Sequence, residues 1–330
     1  MKQTFTYRQK IREMVVVLVP IFVTQLALMS TGFFDTIMAG HVSEQDLAGV
    51  AVGANLFFPF FGSSLGIISG LTPVVAGLYG AEKHAKITFV IQQGFYWSLG
   101  LALLFILLGL FGVPLLLPQL ALEPRVEYVV NYYLLAMACG ICPIFLAGVL
   151  RNLIDALGAT RITMAITVVT VPVNIALNYV FIYGAFGIPA LGGVGAGVGT
   201  ALAFYINLLL NVLVVSRLRP FQSYAVLHRL PRPCLAEWKK QLSMGIPIGC
   251  TMFCEQSIFG AVGLFMTVYG TAVVAAHQAA LNFTTMVYMI PLSVSMALTI
   301  LVGYELGAGR TADARRYSRL GRVVSLAFAG

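Results

Sequence analysis

Eight runs of about twenty or more apolar and small residues divide the chain. They lie near Met14 to Gly40, Leu47 to Tyr79, Ile87 to Leu117, Tyr128 to Leu150, Ile162 to Phe186, Val194 to Val215, Leu242 to Tyr269 and Val273 to Tyr304, and a ninth begins near Tyr317. At helical rise each run is long enough to cross a hydrocarbon slab of about 30 Å. Inside such a slab every backbone N–H and C=O must be paired within the protein, and runs with no strict alternation do this as helices. The expected fold class is therefore an all-α polytopic membrane protein. With 59% hydrophobic and only 10% charged residues, against about 25% charged in soluble domains, a soluble globular enzyme is excluded. Pro20, Pro59, Pro73, Pro143, Pro172, Pro247 and Pro291 fall inside these runs and mark expected bends.

The net charge of +8 raises the question of nucleic acid, and the placement of the charges answers it. Basic residues sit in short loops between apolar runs, with no Lys/Arg-rich arm or aromatic-interleaved basic stretch, so no nucleic-acid partner is expected. If the spans alternate, every basic residue except Arg125 falls on one side. By the positive-inside rule, the N-terminus and the stretch Arg217 to Lys240 are expected to be cytoplasmic, in a multi-pass protein of the inner (plasma) membrane. The start, MKQTFTYRQKIREM, precedes a run too long for a cleavable signal core, so the first span is expected to be retained. Cys139 and Cys142 spell C-x-x-C inside an apolar span with no second pair, which argues against metal or redox use.

A repeat underlies the spans. Shifting the chain by 227 positions (247 minus 20) pairs Pro20 with Pro247, Thr24 with Thr251, Ser30 with Ser257, Asn55 with Asn282, and Gly80-Ala81 with Gly307-Ala308, without a gap. An even number of spans separates equivalent points, so the two copies share an orientation and are expected to hold a substrate between them. The expected division is an N-lobe of six spans (1–216), a cytoplasmic linker (217–240) and part of a second lobe (241–330) that would continue past Gly330.

Only two of the acidic residues lie well inside spans: Asp35 in the first and Glu255 at the middle of the seventh. An intramembrane carboxylate costs about 2.5 to 3.5 kcal/mol on insertion scales and is a functional-site candidate by default. Such a group can hold a proton, a sodium ion or an organic cation, one at a time, which is the minimum requirement for exchange. Under the repeat Asp35 maps onto Val262 and Glu255 onto Leu28, so each copy has one carboxylate, at non-equivalent positions. Asn174 and Asn178, one turn apart, present two amides on one face, and Asn55, Asn282 and Gln278 are further polar candidates for a cavity. These amides either ligand a cation, relay a proton or tie helices together. His277 joins the cavity candidates, although a packed or water-facing histidine is the plainer reading. Asp155 stands among arginines at a helix end, which suits a structural ion pair. The run GIPALGGVGAGVGT superficially resembles a nucleotide loop, but it follows no strand and opens a span, so close helix packing explains it better. No Walker A, H-E-x-x-H or G-x-S-x-G motif is present, so no enzyme is expected and an ion gradient is the expected energy source.

The stretches VPIFVTQLALMSTGFFDTIMAGHVSEQDLAGVAVG, NIALNYVFIYGAFGIPALGGVGAGVGT, GIPIGCTMFCEQSIF and AAHQAALNF resemble the multidrug and toxic-compound extrusion (MATE) family, NorM-type branch. The resemblance covers essentially the whole chain. It implies two six-helix lobes of a twelve-helix bundle around a V-shaped cavity, and export of cationic or lipophilic drugs in exchange for Na+ or H+. It also implies cation-coupling roles for Asp35 and Glu255, with Glu255 as the Na+ ligand if sodium drives exchange, and no cofactor beyond the coupling ion. The expected partners are small organic cations or drugs and the lipid bilayer, and the expected state is a monomer. The family's further carboxylate, in the tenth helix, would lie beyond Gly330. Two alternatives stand beside this reading: a lipid-linked oligosaccharide flippase of the same superfamily, which would be expected to carry a basic cavity, and a non-transporting fragment.

Overall fold

The computed structural model describes residues 6–120, 122–185, 187–227, 231–266 and 271–329, with only the helical backbone described at 36, 260, 263–264, 271–276, 278–279, 282 and 327–329. These residues form ten α-helices and two short 3-10 turns. The helices are α1 (Tyr7–Gly40), α2 (Glu44–Ser69), α3 (Leu71–Gly80), α4 (His84–Leu116), α5 (Pro124–Ala156), α6 (Thr160–Tyr183), α7 (Gly193–Arg217), α8 (Leu235–Met266), α9 (Thr271–Gly307) and α10 (Thr311–Ala329). Among the described residues, seven helical segments are long and apolar enough to cross a membrane.

Local chemistry sets the boundaries. Thr6 caps α1: its hydroxyl accepts from the Gln9 N–H at 3.3 Å while the Gln9 side chain accepts from the Thr6 N–H at 3.2 Å. Pro20 cannot donate within α1, and Thr24 places its hydroxyl on the Pro20 carbonyl at 2.8 Å. The same arrangement recurs 227 positions on, where Thr251 donates to the Pro247 carbonyl at 2.9 Å. The run expected as one span from Leu47 to Tyr79 is one span, Glu44–Gly80, built of two helices, α2 and α3, meeting at Gly70. Pro73 has no N–H for the carbonyl four residues back, and a Cβ on Gly70 would stand 2.6 Å from the Gly245 Cα, so the break coincides with a close crossing of α8.

The helix α5 is the axis of the first six spans, packed against α7, α2, α4 and α3, while α6 lies between α1 and α7. Its side chains Val129, Tyr133, Met137, Ile141 and Phe145 belong to the main core with Phe57, Phe61, Ile68 and Leu71. By contrast α4 turns Leu103, Leu104, Leu107, Leu108 and Phe111 outward, with Phe111 76% exposed, a face suited to lipid tails. The second copy meets the first where α8 packs on α2, and α9 on α3 and α1. The α3–α9 crossing is closest at two glycines one repeat apart: a Cβ on Gly80 would lie 2.0 Å from the Tyr304 carbonyl oxygen, and one on Gly307 1.9 Å from that of Gly77.

The stretch between α7 and α8 reads in sequence as a linker, yet its first part is seated on α4. Phe221, Tyr224 and Val226 are buried. From α4, Thr88 donates to the Tyr224 carbonyl at 2.8 Å and Gln92 to that of Val226 at 3.2 Å, and His84 Nδ1 lies 3.0 Å from the Tyr224 hydroxyl. Burial, with a contribution from Tyr79, pushes the Tyr224 phenol up to about 12, so it stays neutral beside His84 at ordinary pH.

Because backbone contacts at the α3–α9 crossing leave no space for a methyl group, Gly307→Ala is expected to destabilise the protein by about 1–3 kcal/mol. Gly112→Ala, with nothing within 4 Å of the new Cβ, should stay within about 0.5 kcal/mol of the parent. Thermal unfolding of the detergent-purified variants measures both.

Candidate functional site

The glycine run of α7 makes the site possible. A Cβ on Gly195 would fall 2.4 Å from the Phe181 carbonyl oxygen and one on Gly199 2.2 Å from Asn178 Oδ1, so these two let α7 touch α6. Gly193 and Gly197 do the same toward α5, with 2.8 Å to Val129 and 2.9 Å to the Tyr133 carbonyl oxygen. The run therefore does what its small residues suggested and wedges α7 between two helices. Its N-terminus is held by Asp46 of α2, whose Oδ1 accepts the Gly193 N–H at 3.2 Å and pairs with Arg125 Nη2 at 3.1 Å. Arg125, the one basic residue on its side, thus pairs across helices, and Asp46 is a buried cap that sequence reasoning did not single out.

With α7 this close, Asp35 is surrounded by amides and a hydroxyl. Asn178 Nδ2 donates to Asp35 Oδ1 at 2.5 Å and to Asn174 Oδ1 at 3.2 Å, which uses both of its hydrogens. Asn174 Nδ2 donates in turn to Thr200 Oγ1 at 3.2 Å, and Thr200 stands near enough to Asp35 to interact with it. Tyr133 of α5 lies within electrostatic range of the same carboxylate. Asn174, Asn178, Thr200 and Tyr133 are all buried. Asn178 Oδ1 is buried and accepts no hydrogen bond from the protein. Among the described residues no lysine or arginine pairs with Asp35. The result is a carboxylate with oxygen-rich neighbours and no fixed counter-charge, which is the chemistry of a site for a proton or a hard cation.

Glu255 occupies a different place. It is half-buried on α8, with Tyr288 of α9 near enough to interact with it electrostatically and no ion pair among the described residues. The helix α8 packs mainly on α2, whereas α1 packs mainly on α6 and α9, and among the described residues no hydrogen bond or ion pair joins the two carboxylates. Asn55 is exposed on α2 and is not among the partners of Asp35. His277 is half-buried on α9, and its Nε2 is buried without a partner. The side chains of Asn282 and Gln278 lie outside the described residues. Asp155 makes the expected contact with Arg151, at 3.6 Å, and also accepts from Thr163 at 2.6 Å. Thr200 and Tyr133 are the members that sequence reasoning missed; only the position of Thr200 at the end of the glycine run hinted at its role.

The chain matches the model of the MatE family over residues 20–180 and 247–330, two segments that start at the positions paired by the internal repeat. It is 44% identical over 329 residues to a probable multidrug resistance protein NorM of Oceanobacillus iheyensis, covering 100% of this chain and 74% of that protein. A Bacillus subtilis protein of the same description is 44% identical over 328 residues, covering 99% and 73%. Among solved structures, an outward-facing multidrug resistance MATE family transporter of the MOP superfamily aligns with a TM-score of 0.83 at 17% identity, over 99% of this chain and 73% of that one. The MATE transporter NorM-NG, solved in complex with a monobody, aligns with a TM-score of 0.72 at 29% identity, over 93% and 67%.

The Asp35–Asn178 contact is expected to be energetically coupled. In a double-mutant cycle with Asp35→Asn and Asn178→Ala, thermal unfolding should give an interaction energy of about 1–3 kcal/mol. A value below about 0.3 kcal/mol would mean that the two side chains act independently.

Proposed function

Because the chain belongs to the MatE family, we propose that it is a multidrug efflux antiporter, exporting cationic or lipophilic organic compounds in exchange for Na+ or H+. The observation that carries this reading is Asp35, held inside the bundle by Asn178, with Thr200 nearby and no basic partner among the described residues. A carboxylate so placed is neutralised by whichever cation occupies it, and an organic cation and a driving ion then compete for one charge. Glu255 is the corresponding group of the second lobe. Residues 1–216 act as the first lobe, 241–330 as part of the second, and 217–240 as the segment between them. The basic ends of the helices face the cytoplasm across the plasma membrane, as the positive-inside rule requires, and the transporter works as a monomer.

Ethidium efflux from a pump-deficient host, measured with and without imposed sodium and proton gradients, tests the reading. Asp35→Asn and Glu255→Gln should each slow initial efflux by at least about tenfold, with Glu255→Asp partly active. Undiminished gradient-driven efflux in both neutral variants would remove these carboxylates from the mechanism.

A further inference from the structure

Of the basic residues on the first turns of α1, one is out of place for a topology charge. Arg8 and Arg12 are exposed, as charges at a membrane surface should be, whereas Lys10 is 0% exposed. It begins a face of α1 on which Met14, Val17 and Ile21 follow at helical spacing, all buried, while Ile11, Val15 and Val19 on the other side are 46 to 48% exposed. Asp313 begins a matching face of α10, with Tyr317, Leu320 and Val324 following at the same spacing. Met14, Val17, Ile21 and Tyr317 pack with Ile300 and Leu301 of α9 in one apolar cluster, which Leu320 and Val324 join. At its edge Lys10 Nζ lies 3.0 Å from Asp313 Oδ1 and 5.0 Å from the centre of the Tyr317 ring. Arg316 reaches the same Oδ1 from the exposed side, at 3.3 Å, and stands over the ring of Tyr7.

This seam joins the two copies of the repeat, since α1 belongs to the first and α9 and α10 to the second. It lies at the same end of the bundle as the close crossing of Gly80 and Gly307. The repeat supplies a second indication. Under the shift of 227 positions Lys10 maps onto Glu237 and Asp313 onto Lys86, so the equivalent sites carry the same two charges in exchanged order. Glu237 stands in the first turn of α8 and Lys86 in that of α4, two helices that also meet between the copies. Among the described residues those two form no ion pair, so one of the two related seams is fastened in this way and the other is not.

The energetics favour a contact that opens. Taking two charges out of water costs about as much as their attraction returns, so a buried pair fixes register more than it adds stability. In a permanent seam an apolar residue in place of Lys10 would hold at least as well. An ion pair suits a seam that parts, because each partner regains its hydration when the helices separate.

We propose that Lys10 and Asp313 form a latch between the two lobes at the basic end of the bundle, closed while the drug path is shut on that side and released when it opens. The proposal rests on the reading of the chain as an antiporter built of two lobes. Both are positioning residues: they act by setting α1 against α10, and α1 is the helix that carries Asp35.

The test follows a reporter in the seam, in a chain whose five native cysteines are replaced by alanine. The reporter is Val17→Cys, at a site 2% exposed, labelled with a small soluble maleimide. Adding Lys10→Gln or Asp313→Asn should speed labelling about tenfold, as the open form gains population. The charge-swapped double, Lys10→Glu with Asp313→Lys, should bring the rate back to within about threefold of the parent, which a loss of packing alone would not do. Separately, Lys10→Cys with Asp313→Cys is joined by a short bifunctional methanethiosulfonate. Ethidium efflux should then fall at least about tenfold and recover when the link is reduced. Parent-like labelling in both neutral variants, a charge-swapped double that labels as fast as they do, or parent-like efflux across the intact link would overturn the latch. A parent chain that moves no ethidium would sink the antiporter reading instead, and the labelling rates would then decide the latch alone.

Discussion

A carboxylate inside a hydrocarbon slab has three ways to lower its energy: take up a proton or metal ion, pair with a fixed cation, or reach water. Asp35 has no fixed cation among the described residues. Its hydrogen-bond donor is Asn178, a neutral amide with Thr200 nearby, which stabilises the charge in part and leaves it to be balanced by something mobile. The contrast within the same bundle is instructive. Asp46, also buried, is paired with Arg125 and caps α7, and Asp155 is paired with Arg151. Two carboxylates are fastened to arginines and serve structure, and one is held by neutral groups alone. That difference in partner is what separates a site from a strut.

Glycine decides how closely that site can be assembled. At Gly195 and Gly199 of α7, a methyl group would collide with the α6 carbonyl of Phe181 or with Asn178 itself. Any larger side chain at Gly199 would push α7 outward and take Thr200 away from Asp35. The same device closes the crossing of α3 and α9, where Gly80 and Gly307 bring backbones into contact at positions one repeat apart. Backbone-on-backbone contacts of this kind fix position without side-chain rotamers, and they part and reform without repacking a core. Pro20 of α1 and Pro247 of α8 stand one repeat apart, each with a threonine hydroxyl on the proline's own carbonyl.

Much of this was legible in the sequence, for physical reasons that also explain what was not. Asp35 and Glu255 stand out because a charge in an apolar run is expensive. Asn174 and Asn178 stand out because their spacing puts both amides on one face. The helices run past the apolar stretches, as α4 does from His84 and α8 from Leu235, because hydropathy marks the slab and not the end of the hydrogen-bond ladder. The break at Gly70 went unread although Pro73 signalled it, since membrane helices often carry proline without breaking. Thr200 and Tyr133 were not recoverable from periodicity: a threonine and a tyrosine in apolar helices look the same whether they face a carboxylate or a neighbour's methyl groups. Asp46 looked like an ordinary loop acid because its partners, Arg125 and the N–H of Gly193, are remote in the chain.

The central claim is that one mobile cation at a time balances Asp35. Titrating ethidium into the purified protein in weakly buffered, sodium-free detergent solution, and counting the protons released per drug bound, addresses it directly. The account predicts that the parent protein releases protons as drug binds and that Asp35→Asn binds drug with a distinctly smaller release. Drug binding that displaces neither protons nor, in a parallel titration with sodium, sodium ions from the parent protein would contradict it.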